Sequence, residues 1–127
     1  MESKYNFKFE NLTTYNSAME FGEVVNSLTK KFPNEEKFEL ASQFRRAADS
    51  IALNIAEGSS GSDKQFYNYL GNAWHGTHEC VACSSKAKMR GYITFQDDEE
   101  NRRIVIELSK MITTLRNRIS TRIDNKK

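Results

Sequence analysis

The sequence has 127 residues, 38% of them hydrophobic, with one proline and six glycines, which suits one compact domain with a real core. A net charge of +2 is too small to indicate nucleic-acid binding by itself, and two cysteines do not make the disulfide framework of a secreted domain. No run of about 18 apolar residues could span a bilayer, and no secretory signal opens the sequence, so we expect a cytoplasmic protein.

The first part of the chain predicts an arm followed by two helices. Residues 1–12 mix charged and aromatic side chains, and they form either a loose arm or a strap across a neighbouring subunit. Apolar residues at steps of three and four predict a first helix over about residues 13–31, which Pro33 would end. Asn34 is expected to cap the second helix, and Gly58 to end it in the left-handed conformation.

The second helix carries a clear two-sided pattern. Its buried stripe is predicted to contain Leu40, Phe44, Ala47, Ala48, Ile51 and Ile55. On the opposite side Arg46 and Glu57 lie only about 20° apart in projection. That side is therefore either solvated or in contact with another subunit.

The rest of the chain predicts two further helices. Ser62 is expected to cap the third, and Thr94 or Asp97 the fourth, whose acidic run at 97–100 suits the positive end of the helix dipole. The buried row of the third helix is predicted to be Phe66, Leu70, Ala73, Thr77, Cys80, Ser84 and Ala87. Short links predict an all-α, antiparallel up-down four-helix bundle, one domain over residues 1–127 with frayed residues 124–127.

Potential catalytic and metal-binding groups occur on the third helix, but their pattern is incomplete. His75, Glu79 and Cys83 follow one another at i+4, yet no second pair of zinc ligands appears elsewhere. The CxxC is in the middle of a helix, whereas reactive pairs are activated at a helix N-terminus. We therefore predict a protein that is not an enzyme and uses no metal or cofactor.

A longer motif links the second and third helices to a known family. The string QFRRAADSIALNIAEGSS, with the Lys-aromatic segment and the helix ending in GYI that follow it, resembles the four-helix-bundle proteins encoded by intervening sequences of bacterial 23S rRNA genes. The accessory proteins of diversity-generating retroelements are similar to the same bundle. The resemblance covers about residues 15–119. It implies a homo-oligomer, namely a pentamer, without enzymatic activity and with a nucleic-acid or ribonucleoprotein partner.

The resemblance also singles out one side of the second helix. Arg46 and Glu57 correspond to the family's RRA arginine and NIAEG glutamate, and Ser50 and Asn54 lie near the same flank. A structural role predicts that Arg46 pairs with a carboxylate such as Glu79, in a polar network that fixes register or assembly. Direct contact with a ligand is the alternative.

The placement of charge, more than its total, points to nucleic acid. In an antiparallel bundle, one end would gather the cations Lys64, Arg116, Arg118, Arg122, Lys126 and Lys127. A ring of subunits would repeat this end into a surface able to contact phosphates. The cations also suit a helix C-terminus without any ligand. We predict a self-assembling protein with no membrane partner that binds RNA, DNA or a nucleoprotein complex, or alternatively a protein-interaction module without nucleic-acid binding.

Overall fold

The computed structural model of the chain describes residues 2–126 and contains four long helices with no strand among those residues. The helices are α1 (Thr13–Thr29), α2 (Leu40–Ser59), α3 (Asp63–Met89) and α4 (Phe95–Asn125). The all-α, four-helix prediction is thereby confirmed. Within the same residues, no helix combines the length and the apolar character that a bilayer crossing requires. Lys127, one of the predicted phosphate contacts, lies outside the described residues.

Ion pairs between neighbouring helices connect the end of one helix to the start of the other. Lys31 Nζ, just after α1, lies 3.1 Å from the carboxylate of Asp97 near the start of α4. Arg122, near the end of α4, lies 2.7 Å from the carboxylate of Asp63, the first residue of α3. Both contacts are those expected of the up-down arrangement.

The apolar rows predicted on α2 and α3 lie in the core between the four helices. Every member of the row predicted on α3 is buried, and so is every member of the stripe predicted on α2. The largest side chains with essentially no exposed surface are Phe21, Phe44, Ile51, Ile55, Leu70, Leu108, Ile112 and Ile119. The helical periodicity therefore located the core residues correctly.

Capping boxes fix where α3 and α4 begin. Ser62 Oγ accepts a hydrogen bond from the N–H of Gln65 at 3.2 Å, and Gln65 Oε1 accepts one from the N–H of Ser62 at 2.8 Å. Thr94 and Asp97 make the same reciprocal pair at 3.0 and 3.1 Å. Each box satisfies two backbone donors that the helix itself leaves without partners. The predicted caps at Ser62 and Thr94 are confirmed.

The predicted cap of α2 at Asn34 is wrong. Asn34 begins a short 3-10 turn, Asn34–Glu36, and α2 starts only at Leu40. Glu39 separates the two because its backbone, with φ −113° and ψ −108°, is not helical. The capping group comes from Glu36, whose carboxylate accepts a hydrogen bond from the N–H of Leu40 at 3.2 Å.

The predicted role of Gly58 is also wrong. Gly58 lies buried within α2, and Gly91 is the one residue in the described part of the chain with a positive φ, 76°. A Cβ at Gly58 would lie 2.5 Å from the Cβ of Tyr69 on α3. Glycine is needed here because α2 and α3 approach too closely for any side chain, and the left-handed helix end occurs at Gly91 instead.

Part of the N-terminal segment packs on its own bundle. Lys8–Asn11 form a 3-10 turn that contacts α1 and α2. The Phe9 ring meets Tyr15 of α1 edge-on, with ring centroids 4.9 Å apart. The start of α1, which follows this turn, lies beside the second half of α4.

Candidate nucleic-acid interface

The second half of α4 concentrates positive charge. Between Leu108 and Lys126 the sequence has five Lys or Arg residues and one Asp. A helix C-terminus favours such cations because its unpaired carbonyl groups carry partial negative charge. Some of these cations contact other groups of the chain, and others remain available to a ligand.

Arg122 and Lys126 share a single carboxylate. Arg122 Nη2 and Lys126 Nζ lie 2.7 and 2.8 Å from the two oxygens of Asp63. Hydrogen bonds from Arg122 and then Lys126 lower the pKa of Asp63 to about 2, so the carboxylate stays ionised. One negative charge neutralises only one of the two cations, and both cationic side chains remain more than half exposed. The trio therefore keeps a net positive charge at the surface.

Arg116 is held in the packing between α4 and α3. Its guanidinium carbon lies 3.9 Å from the centroid of the Tyr67 ring, and its Nε donates a hydrogen bond to the Tyr67 carbonyl at 3.1 Å. A Cβ at Gly71 would lie 2.9 Å from Arg116 Nη2, so the glycine provides the space that the guanidinium occupies. The structure thus gives Arg116 an internal structural contact.

Lys64 and Arg118 are exposed, and neither has an ion-pair partner within residues 2–126. Lys64 lies at the start of α3, beside the Asp63 carboxylate that Arg122 and Lys126 share. Arg118 lies one turn before Arg122 on α4 and lines a groove beside the start of α1. We use the name "basic end" for Lys64, Arg122 and Lys126, the exposed cations at the start of α3 and the end of α4.

The polar flank predicted on α2 does not form a network within one chain. Ser50 Oγ and Asn54 Nδ2 donate to backbone carbonyls of α2 itself, at 2.7 and 2.8 Å. Arg46, Glu57 and Glu79 are exposed, and none of them takes part in an ion pair in the part of the chain that the structure describes. The predicted pair between Arg46 and Glu79 is not formed within the chain, and a role of this flank in assembly stays a prediction.

The candidate metal ligands on α3 do not converge. Among the described residues, no group of three His, Cys, Asp or Glu side chains is arranged to hold an ion. Burial, followed by the negative charge of Glu79, raises the pKa of Cys83 to about 11, so the thiol is not activated. The His78 ring packs against Trp74 at a tilt of 41°, with centroids 4.1 Å apart, and so covers an edge of the core.

A buried polar cluster between α3 and α4 is absent from the sequence-based predictions. The Asp98 side chain is fully buried and accepts hydrogen bonds from Ser84 Oγ at 2.6 Å and Arg102 Nε at 2.9 Å. Lys88 Nζ lies 3.3 Å from the same carboxylate. Burial raises the pKa of Asp98, but the hydrogen bonds from Ser84, Arg102 and Lys88 outweigh it and hold the pKa below its ordinary value.

The sequence does carry a signal for this cluster. Asp98 occupies the same three-and-four row as the buried residues Asn101, Val105 and Leu108 on α4. The acidic run at 97–100 also complements the helix dipole, and this local explanation masks the periodicity. A charged residue in a buried row predicts a partner close by, because burying an unpaired charge is costly.

The fold of the chain and its similarity to known proteins define the same class of protein. The fold defines a small all-α four-helix bundle. The model of the family described as 23S rRNA-intervening sequence protein matches residues 10–114, so the chain belongs to this family, as the resemblance predicted. A crystal structure of a protein of unknown function, from the S23 ribosomal protein family of Bacteroides thetaiotaomicron, is similar at 26% identity and a TM-score of 0.74. The match covers 81% of this chain and 97% of that one. Among curated proteins, none matches.

Proposed function

We propose that this protein is a non-enzymatic, self-assembling subunit that binds RNA phosphates through the basic end. The observation that carries the proposal is that Arg122 and Lys126 share one carboxylate, that of Asp63, and stay exposed. Lys64 adds a further exposed cation beside them. The membership of the chain in a family named for 23S rRNA intervening sequences favours RNA over DNA.

The weak charge of one copy explains why assembly belongs to the proposal. Phosphate contacts gain affinity by releasing counterions, and three cations in one copy give only a small gain. A ring that repeats the basic end on one face would let several copies contact the same RNA. Once one copy is bound, the linked copies are held at a high effective concentration near the same RNA. The assembled ring therefore binds much more tightly than a single copy.

RNA binding is tested by the fluorescence anisotropy of a labelled structured RNA, titrated with the protein at low and at physiological salt. We expect salt-sensitive binding that weakens by about tenfold in a variant carrying Lys64→Ala and Lys126→Ala, with a shallower dependence on salt. These two changes preserve the Arg122–Asp63 pair, and exposed ion pairs contribute little to stability, so the fold should be retained.

The matched control carries Lys30→Ala and Lys86→Ala, which remove the same charge from exposed positions at the other end of the bundle. Equal loss in both variants would mean that total charge, and not the basic end, determines binding. No binding at low salt would contradict RNA recognition and would favour the protein-interaction alternative.

The outer side of α2 supports self-assembly as a ring. The family resemblance implies that the ring has five copies. Leu53 is 59% exposed and lies between Arg46 and Glu57 on this side, which combines an apolar residue with charges of both signs. Such a side suits a head-to-tail contact, in which one copy offers the cation and the next the carboxylate. The exposed apolar area would be covered in the same contact.

Sedimentation velocity tests this assembly. We expect the unmodified protein to sediment as an oligomer and Leu53→Glu to shift it to the monomer, because a buried unpaired carboxylate disfavours the interface. Ile106→Glu is the control, since Ile106 is 54% exposed but lies on α4. A monomer at every concentration, or an equal effect of both substitutions, would contradict an interface on α2.

A further inference from the structure

A cavity open to solvent, with polar and apolar residues in its wall, lies between the start of α1 and the second half of α4. Its volume is about 410 Å³, and none of the residues that line it is acidic. The polar residues of its wall are Asn11, Thr13, Thr14, Lys110, Thr114 and Arg118. This cavity is distinct from the basic end, and only Arg118 was among the predicted phosphate contacts.

The first turn of α1 supplies free backbone donors to this cavity. The N-cap residue Leu12 has no side chain that could accept a hydrogen bond. Within residues 2–126, the N–H groups of Thr13, Thr14 and Tyr15 have no hydrogen-bond partner. Unpaired N–H groups at a helix start, together with the helix dipole, favour an anion.

The side chain of Thr14 adds a donor to the cavity that is independent of the helix start. Thr14 is nine-tenths buried and lines the cavity. Its hydroxyl makes no hydrogen bond with any other part of the described chain. Because the hydroxyl oxygen keeps some accessible surface at the cavity wall, it is free to donate a hydrogen bond to an acceptor bound there.

Two cations on α4 give the cavity its charge. Lys110 and Arg118 lie eight residues apart, about 12 Å along the helix, with Thr114 between them. Neither has a carboxylate partner among the described residues. Glu107, the acidic residue next to Lys110, is already bound to Arg103 at 3.0 Å. The positive charge of the cavity is therefore not neutralised within the chain.

We infer that this cavity binds a phosphate group. The N–H groups of Thr13 and Thr14 and the Thr14 hydroxyl donate to its oxygens, and Lys110 and Arg118 balance its charge. A tetrahedral anion suits this mixture of backbone donors, a hydroxyl and two cations. The same chemistry fits inorganic phosphate and a phosphate of the RNA backbone. Only the second source rests on the proposed function.

The test uses amide NMR spectra of the full-length, isotope-labelled protein, titrated with sodium phosphate or with sodium chloride at the same ionic strength. We expect saturable shifts at the amides of Thr13, Thr14 and Tyr15 with phosphate alone. Thr14→Val keeps the shape of the side chain but removes its hydroxyl, and should weaken phosphate binding about fivefold. Lys110→Gln with Arg118→Gln should abolish saturation.

The control is Lys30→Gln with Lys86→Gln, which should bind phosphate like the unmodified protein. The spectrum of each variant shows directly whether its fold is intact. Identical shifts in chloride, no saturation, or unchanged phosphate binding in the Lys110 and Arg118 variant would overturn the inference.

Repeating the RNA titration with the Lys110 and Arg118 variant separates the two sources of phosphate. Weaker RNA binding together with the phosphate shifts would support a site for the RNA backbone. Phosphate shifts with unchanged RNA affinity would support a site for a free phosphate compound. RNA binding by a protein that shows no phosphate shifts would overturn this site and leave the proposed function standing.

Discussion

Replacing Asp98 with alanine is expected to lower the free energy of unfolding by about 3 kcal/mol. The carboxylate is fully buried and accepts hydrogen bonds from Ser84 and Arg102, with Lys88 also within 3.3 Å. Its removal leaves two cations without their counter-charge and the Ser84 hydroxyl without its acceptor. Arg102 and Lys88 are each more than one-third exposed, which keeps the cost at the low end of that for a buried pair. Urea denaturation at neutral pH measures the change.

Glu100→Ala is the matched control for Asp98→Ala. Glu100 pairs with Arg103 on the same helix, but both side chains are 55% exposed. Water screens such a pair, so its loss should leave the free energy of unfolding almost unchanged. Similar losses in the two variants would contradict a special role of the buried carboxylate.

The dependence on pH provides a second measurement for Asp98. Its pKa is lower in the folded protein than in the unfolded chain, where it is about 3.9, so ionised Asp98 stabilises the fold above that pH. The difference in unfolding free energy between the unmodified protein and Asp98→Ala should be constant near neutral pH. It should shrink as the pH falls below about 4 towards the folded pKa. A difference that is unchanged at low pH would show that packing, and not charge, accounts for the effect.

Asn101→Leu is expected to raise the free energy of unfolding by about 2 kcal/mol. Asn101 is only 1% exposed, and both polar atoms of its side chain are buried without a hydrogen-bond partner. Leucine has a similar size and removes this desolvation cost. Its new apolar surface would meet Val24 and Leu28 of α1, which line the same groove.

Thermal and urea denaturation of Asn101→Leu at a fixed protein concentration measure the gain. Asn117→Leu is the control, because Asn117 is exposed on the same helix and its change should stay within about 0.5 kcal/mol. A destabilised Asn101→Leu variant would contradict the prediction and would indicate that the amide has a partner in the assembled protein.

The helix ends show where sequence reasoning succeeds and where it fails. Ser62 and Thr94 cap their helices through residues three positions away, so a short string contains the whole interaction. The prediction for Gly58 fails because glycine commonly ends helices, whereas Gly58 lets Tyr69 of α3 come close to α2. That approach depends on how two helices pack, which local preference does not determine.

The candidate site shows the same division. The sequence placed Arg116, Arg122 and Lys126 at one end of the bundle through periodicity and helix order alone. It could not assign Arg116 to the Tyr67 ring or give Arg122 and Lys126 the same carboxylate, because each contact depends on how α4 is rotated against α3. The Thr14 hydroxyl likewise becomes a candidate ligand donor only because the fold brings it beside Lys110 and Arg118, which are far away in the sequence.

By itself, the sequence determined the four helices, the buried rows of α2 and α3, two of the helix caps and the family, because these depend on spacing within one segment or on a continuous motif. The tertiary structure decided which charges are neutralised, which polar groups are buried and where a cavity remains. These properties depend on side chains from different helices meeting within a few ångströms. Their distances are set by helix rotation and close approach, which no single segment encodes.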